Sequence, residues 1–155
     1  MNHYQQSLVV GAAPAAVYAA LTTPAGLRGW WTRDCDVTTD VGGTLRFRFG
    51  PHRKAMRIAR LDPDREVRWL CTEAHIEFAQ FSRKDEWVST EIVFRLSPHD
   101  GGRTRLDFEH IGLVPAFECW GVCADGWRHF LGSLQQFSET GRGTPFEPAA
   151  TAAAH

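Results

Sequence analysis

The sequence predicts an α+β fold in which an antiparallel sheet of about seven strands packs against one long C-terminal helix. Residues 34–111 alternate between apolar and charged side chains with a period of two, which is typical of strands that are covered on one face. Residues 118–140 instead carry an apolar stripe with helical spacing. The length of 155 residues suits a single domain, and the six Trp, ten Phe and two Tyr supply a large apolar interior.

The N-terminal region is predicted to contain one strand and two short helices. Residues 3–10 are typical of a strand, and Gly11 and Pro14 then end the extended pattern. Pro14 also begins an apolar stripe with spacing i, i+3, i+4 and i+7, which predicts a helix. Thr23-Pro24 starts the second short helix.

The central region is predicted to form an antiparallel meander. Its apolar residues alternate with arginine or acidic residues, and Gly-Gly, Gly-Pro and Asp-Pro-Asp sequences provide turns. One face of the sheet is therefore apolar and aromatic, and the other face is charged. The alternating segments are residues 45–49, 56–58, 67–71, 92–96 and 105–109.

The C-terminal segment is predicted to cover the apolar face of the sheet. Its stripe recurs at intervals of three and four residues, and Gly141 marks the end of the helix. We assign residues 1–143 to the domain and expect residues 144–155 to form an Ala-rich disordered tail. The stripe consists of Trp120, Cys123, Trp127, Phe130, Leu134 and Phe137.

Composition and motifs exclude several classes of protein. With 17 basic and 18 acidic residues, the net charge of −1 does not favour nucleic acid or an anionic membrane as a partner. The sequence has no apolar run long enough for a membrane span, and its four cysteines lack the paired spacing of a secreted disulfide framework. We therefore expect a cytoplasmic protein. It lacks phosphate-loop, serine-hydrolase and zinc-protease motifs, and we expect no cofactor.

The order of elements and a set of short motifs resemble the family of activator-of-Hsp90-ATPase homologues, within the START-like (Bet v 1-like, SRPBCC) helix-grip superfamily. The resemblance extends from residue 7 to about residue 145. It implies a curved sheet around the long helix, with a cavity between them that in many relatives holds an apolar or amphipathic small molecule. The motifs are Ala13-Pro14 with Val17 to Leu21, Thr23-Pro24, Trp30-Trp31, Gly42-Gly43, Leu61-Asp62-Pro63 with Val67-Arg68-Trp69, Gly102 to Leu106, His110-Ile111-Gly112, and Gly126-Trp127 with Leu131 and Leu134.

Residues on the inner sheet face and on the helix stripe are the candidates for lining this cavity. Rings this large can also fill a small sheet by themselves, so a packed core is the alternative. Residues 76–87 form a longer link than a tight hairpin needs, and they are either a lid or an extension of the sheet edge. The candidate ligand-binding residues are Trp30, Trp31, Phe47, Phe49, Met56, Ile58, Trp69, Cys71, Phe94, Phe108, His110, Cys119, Cys123, Trp127 and Phe130.

Binding of a small apolar or aromatic molecule without catalysis is the leading hypothesis for function, as expected of a carrier or sensor. A cyclase, dehydratase or hydrolase is the alternative, because Glu73, His75 and His110 fall on the inner face if the strand alternation continues. Each candidate also has a purely structural interpretation. The strand would end near Thr72 and leave Glu73 and His75 in solvent, and His110 would be a hydrogen-bonded histidine of the core.

Metal binding is considered but not predicted. Cys119 and Cys123 are four residues apart on one helix face, and they could form a soft-metal site with Cys71 or His110. Zinc sites usually contain close pairs such as Cys-x-x-Cys, and buried free cysteines are common as small apolar residues.

Macromolecular partners are a further alternative. The outer sheet face carries a basic patch that would dock an acidic partner such as a chaperone, as the family name implies, although such a face is more often only solvated. Self-association into a homodimer also stays open at this level. The patch consists of Arg46, Arg48, Arg57 and Arg68.

Overall fold

The computed structural model describes residues 2–147, and its elements follow the predicted order. Strand β1 spans Tyr4–Val10 and is followed by helices α1 (Pro14–Thr22) and α2 (Pro24–Trp30). The remaining strands are β2 (Cys35–Asp36), β3 (Thr44–Phe49), β4 (His52–Asp62), β5 (Glu66–His75), β6 (Glu91–His99) and β7 (Arg103–Ile111). Helix α3 spans Trp120–Thr140.

Within the described residues, seven strands form one antiparallel sheet in the order β1-β7-β6-β5-β4-β3-β2. Strands β2 to β7 follow one another as a meander, and β1 pairs with β7 at one edge. Helix α3 contacts β1 as well as α1 and α2. The predicted helix-grip fold is therefore confirmed, with two short helices after the first strand and the long helix against the sheet.

Local sequence explains where the helices begin and end. Pro14 and Pro24 occupy first-turn positions, where the missing N–H has no helical partner in any case. Thr23 caps α2, because its hydroxyl accepts a hydrogen bond from the Gly26 N–H at 3.0 Å. Helix α3 ends at Gly141, whose φ of 82° is left-handed and whose N–H donates to the Phe137 carbonyl.

A bulge in β5 changes which side chains face the interior. Met56 pairs with Cys71, but the preceding residue, Ala55, pairs with Glu73, so Thr72 is an extra residue in β5. The extra residue shifts the alternation by one position. Glu73 is consequently exposed rather than inward, so of the two alternatives left open by the sequence, the one that places Glu73 in solvent holds.

The interior is filled by rings at one end of the sheet. The buried indole of Trp31 lies at the centre and stacks on Trp30, Trp69 and Trp127 at centroid distances of 5.5, 5.8 and 5.4 Å. The ring centroid of Phe47 lies 4.3 Å from that of Trp31. The packed-core alternative therefore holds for this end of the molecule.

Residues 144–147 pack on the domain, although the sequence placed them in a disordered tail. The Phe146 N–H donates to the Trp31 carbonyl at 2.8 Å, and the Phe146 carbonyl accepts from the Arg33 N–H at 3.1 Å. Its ring lies 5.8 Å from that of Phe49. The rest of the predicted tail, residues 148–155, lies outside the described residues.

No helix in the described part of the chain is long and apolar enough to cross a membrane.

The close approach of α1 and α2 generates a stability prediction. A Cβ added at Gly26 would lie 2.6 Å from the Ala20 Cα, whereas none of the described residues would crowd one at the exposed Gly132 of α3. We expect Gly26→Ala to lower the free energy of unfolding by about 1–3 kcal/mol through overpacking. Gly132→Ala should raise it by about 0.5–1 kcal/mol through helix propensity. Urea unfolding of both variants checks the prediction, and a change of the same sign in both would contradict it.

Candidate functional site

A cavity of about 280 Å³ borders the packed rings around Trp31. Its walls come from α3, from the ends of β3 and β4, and from the link of residues 76–87. Most lining groups are aromatic or aliphatic, as in sites for small apolar ligands. The cavity is lined by Trp31, Phe49, His52, Lys54, Ile76, Phe78, Trp87, Val122, Cys123, Gly126, Trp127, Phe130 and Phe146.

Five of the residues predicted to bind a ligand line this cavity. They are Trp31, Phe49, Cys123, Trp127 and Phe130. The other ten are buried in the packed interior, where neighbouring side chains leave no room for a ligand. These ten are Trp30, Phe47, Met56, Ile58, Trp69, Cys71, Phe94, Phe108, His110 and Cys119.

The sequence interpretation missed several lining residues. Ile76, Phe78 and Trp87 belong to the link that was described only as a lid or an edge extension. Lys54 lies on the inner face of β4, two residues before the buried Met56, and strand alternation would have indicated this. Phe146 lies in the assigned tail, where no periodic pattern marks it.

The link is a fixed wall of the cavity, because carboxylates join it to the start of α3. The buried Glu86 accepts hydrogen bonds from the backbone N–H groups of Glu118 (3.0 Å) and Cys119 (3.1 Å). In the reverse direction, Glu118 accepts from the N–H groups of Ser82 (3.1 Å) and Arg83 (2.9 Å). These charge-assisted bonds hold Trp87 against the helix.

His110 is buried and belongs to a hydrogen-bond chain that joins α3, β7 and the link. The indole Nε1–H of Trp127 donates to His110 Nδ1 at 3.0 Å. Nδ1 must therefore be unprotonated, and the neutral ring carries its proton on Nε2. That proton is donated to the Thr90 hydroxyl at 2.8 Å, and Thr90 in turn donates to the Trp87 carbonyl at 2.6 Å.

This arrangement makes His110 a positioning residue rather than a general base. Burial lowers the pKa of His110 well below its ordinary value, and the nearby Lys54 ammonium lowers it further. Both ring nitrogens are already engaged with protein groups. The ring fixes Trp127 and Trp87, whose stacked indoles lie 5.9 Å apart on the cavity wall.

The other two catalytic candidates lie outside the cavity. Glu73 is exposed and pairs with Arg46 at 3.0 Å on the outer sheet face. His75 is half-buried and contacts Glu77 at 2.7 Å. The structure does not bring Glu73, His75 and His110 together, so the acid–base group expected for an enzyme is not assembled.

Lys54 is the one cation that lines the cavity within residues 2–147. Its Nζ lies 4.0 Å from the ring centroid of Trp87 and 4.6 Å from that of Phe49, which are cation–π distances. Burial lowers the pKa of the Lys54 ammonium.

Cys71 and Cys123 differ in their surroundings, because only Cys123 lines the cavity. Burial raises the pKa of Cys71 to about 12, so its thiol stays protonated and unreactive at neutral pH. Cys123 lines the cavity, and its Sγ accepts a hydrogen bond from the Trp87 indole at 3.2 Å. In the described part of the chain, no group of three or more His, Cys, Asp or Glu side chains is arranged to hold a metal ion.

The basic patch on the outer face is largely neutralised by neighbouring carboxylates. Arg48 binds Asp34 at 2.8 Å and Asp36 at 3.1 Å. Arg68 lies 3.4 Å from both Glu66 and Glu91. Arg46 is also paired, whereas the exposed Arg57 forms no ion pair with a described residue, so three of the four arginines of the patch are balanced by carboxylates.

Comparison with known proteins gives one family and many similar folds. The family described as "Activator of Hsp90 ATPase homolog 1-like protein" matches residues 11–139, which confirms the resemblance drawn from the motifs. The Aha1 dimer from Colwellia psychrerythraea is 29% identical, with a TM-score of 0.76 over 92% of this chain and 100% of that one. A protein from Mesorhizobium loti shares the fold at 21% identity, with a TM-score of 0.70 over 86% of this chain and 95% of that one. A protein from Chromobacterium violaceum shares it at 20% identity, with a TM-score of 0.66 over 89% of this chain and 97% of that one. No curated protein matches the sequence.

The neutral, buried His110 generates a prediction about acid stability. Below its ordinary pKa of 6.5 the unfolded histidine takes up a proton, but folded His110 does not, so acid favours the unfolded chain. We expect this residue to contribute a loss of about 1.4 kcal/mol of unfolding free energy per pH unit below about pH 6. The comparison is urea unfolding of wild type and His110→Gln at pH 6 and pH 5. His110→Gln should be less stable at pH 6 but less sensitive to acid, and equal sensitivity would refute this role.

Proposed function

We propose, for a chain that belongs to the Activator of Hsp90 ATPase homolog 1-like family, that the cavity beside α3 binds a small apolar or aromatic molecule. The observation that carries the proposal is the cavity of about 280 Å³ between Trp87, Trp127, Phe49 and Phe130. Apolar walls of this kind gain free energy by removing ligand surface from water, at about 25 cal/mol per Å². The helix-grip fold agrees with this role.

The cavity volume limits the size of the ligand. At about 30 Å³ per liquid water molecule, 280 Å³ corresponds to roughly nine waters. The cavity volume of about 280 Å³ is just below the usual 300–1,000 Å³ range for ligand pockets. A molecule with one ring and a short substituent therefore fits better than a long-chain lipid or a large polyketide.

Binding without catalysis fits the cavity better than an enzyme does. His110 has both nitrogens occupied, and Glu73 and His75 lie outside the cavity. A carrier or sensor needs only a specific cavity and a way to exchange its ligand. A cytoplasmic location stays a prediction from the sequence, and a role in a stress response is a further proposal.

Protein partners remain secondary proposals. The Colwellia relative forms a dimer, and this supports self-association of the present chain. Light scattering after gel filtration would give the mass of two chains for a homodimer and of one chain otherwise. A chaperone partner has less support, because the arginines at positions 46, 48 and 68 are already paired with acidic residues.

Filling the cavity from α3 should abolish ligand binding. Gly126 lines the cavity, and a Cβ at this position would meet no described atom within 4 Å. We expect Gly126→Phe to place its ring in the ligand's space and to weaken binding of p-cresol more than about tenfold, without unfolding the chain. The measurement is a two-dimensional NMR titration that follows the indole N–H signals of Trp87 and Trp127.

Gly121→Phe provides the matched control. Gly121 is exposed on the first turn of α3, lies outside the cavity wall, and is equally uncrowded among the described residues. This variant should bind p-cresol as wild type does. Unaltered binding in Gly126→Phe, or absence of any shift in the wild-type Trp87 and Trp127 signals, would overturn the proposed site.

A further inference from the structure

The ammonium of Lys54 has no acidic partner within residues 2–147. It forms no salt bridge and no hydrogen bond there, and its closest described neighbours include the ring faces of Trp87 and Phe49. The carboxylates near the cavity are engaged elsewhere. Glu73 binds Arg46, Glu77 binds His75, and Glu86 accepts two backbone N–H groups at the start of α3.

An unpaired cation in an apolar site is costly, and the cation–π contacts offset only part of that cost. The rings of Trp87 and Phe49 interact with the ammonium through their faces but accept no strong hydrogen bond. An anionic oxygen from a ligand in the same cavity would meet this requirement, because a charge-assisted bond strengthens when the bound ligand displaces water from it.

We propose that Lys54 anchors the carboxylate of a small aromatic or apolar monocarboxylic acid, whose apolar part lies between Trp87, Trp127 and Phe130. This inference rests on the proposed function and names the ligand class. The amine is on the wall of the cavity, and the remaining lining groups beyond it are mostly apolar. One end of the site therefore selects charge and the rest selects apolar surface.

The cavity fits a carboxylate better than a phosphate. Phosphate sites usually combine arginine forks, several backbone N–H groups or a free helix N-terminus. In the described part of the chain, the cavity wall includes no arginine, and Glu86 occupies the backbone N–H groups of the two residues that precede α3. A single lysine matches a single negative charge.

The test compares an acid with its neutral alcohol of nearly the same shape. Isothermal titration calorimetry at pH 7 measures the binding of 3-phenylpropionate and 3-phenylpropan-1-ol to the full chain. Wild type should bind the acid about 10- to 100-fold more tightly, as expected for hydrogen bonds to a charged group. Lys54→Met keeps the length of the side chain without its charge, so it should remove this preference while binding of the alcohol persists.

Arg53→Met is the matched control, since Arg53 is the preceding residue of β4 and is exposed on the outer face. It should retain the preference for the acid. Equal affinities of wild type for acid and alcohol, or a preference that survives in Lys54→Met, would overturn the anchor and leave the proposed function intact. Failure of both probes to bind wild type would overturn the binding function and the anchor together.

Discussion

The hydrogen-bond chain from Trp127 through His110 and Thr90 to the Trp87 carbonyl connects the three parts of the molecule that form the cavity. It links α3 to β7 and then to the end of the 76–87 link. Each buried donor and acceptor in it is satisfied, so the chain costs little while fixing the orientation of two indoles. The cavity exists because these indoles are held apart from Phe49 and Phe130 rather than collapsing onto them.

One part of the interior is a packed core, and the other part forms the cavity. Around Trp31 the rings are packed as in an ordinary core, and this end supplies the stability of the domain. Trp31 also lines the cavity, so the packed end forms the floor of the open end. The link, attached to α3 by Glu86 and Glu118, closes a further side. A rigid wall of this kind favours a preformed site over one that forms around its ligand.

Sequence patterns predicted the elements well, because strand and helix periodicities are set locally. The α3 stripe and Gly141 located the long helix to within two residues at its start. The site was harder to predict. The bulge at Thr72 has no glycine or proline to mark it, so the sequence alone left the face of Glu73 undecided. Whether a ring such as Phe108 fills the core or lines a cavity depends on three-dimensional packing, which periodicity does not encode.

Native mass spectrometry of the protein purified from its own cells would test the central claim, that the cavity beside α3 holds a small molecule. Wild type and Gly126→Phe should be compared under the same conditions. We predict one small adduct per wild-type chain, released on denaturation and absent from the filled variant. A bare wild-type chain, or the same adduct on both proteins, would contradict the account.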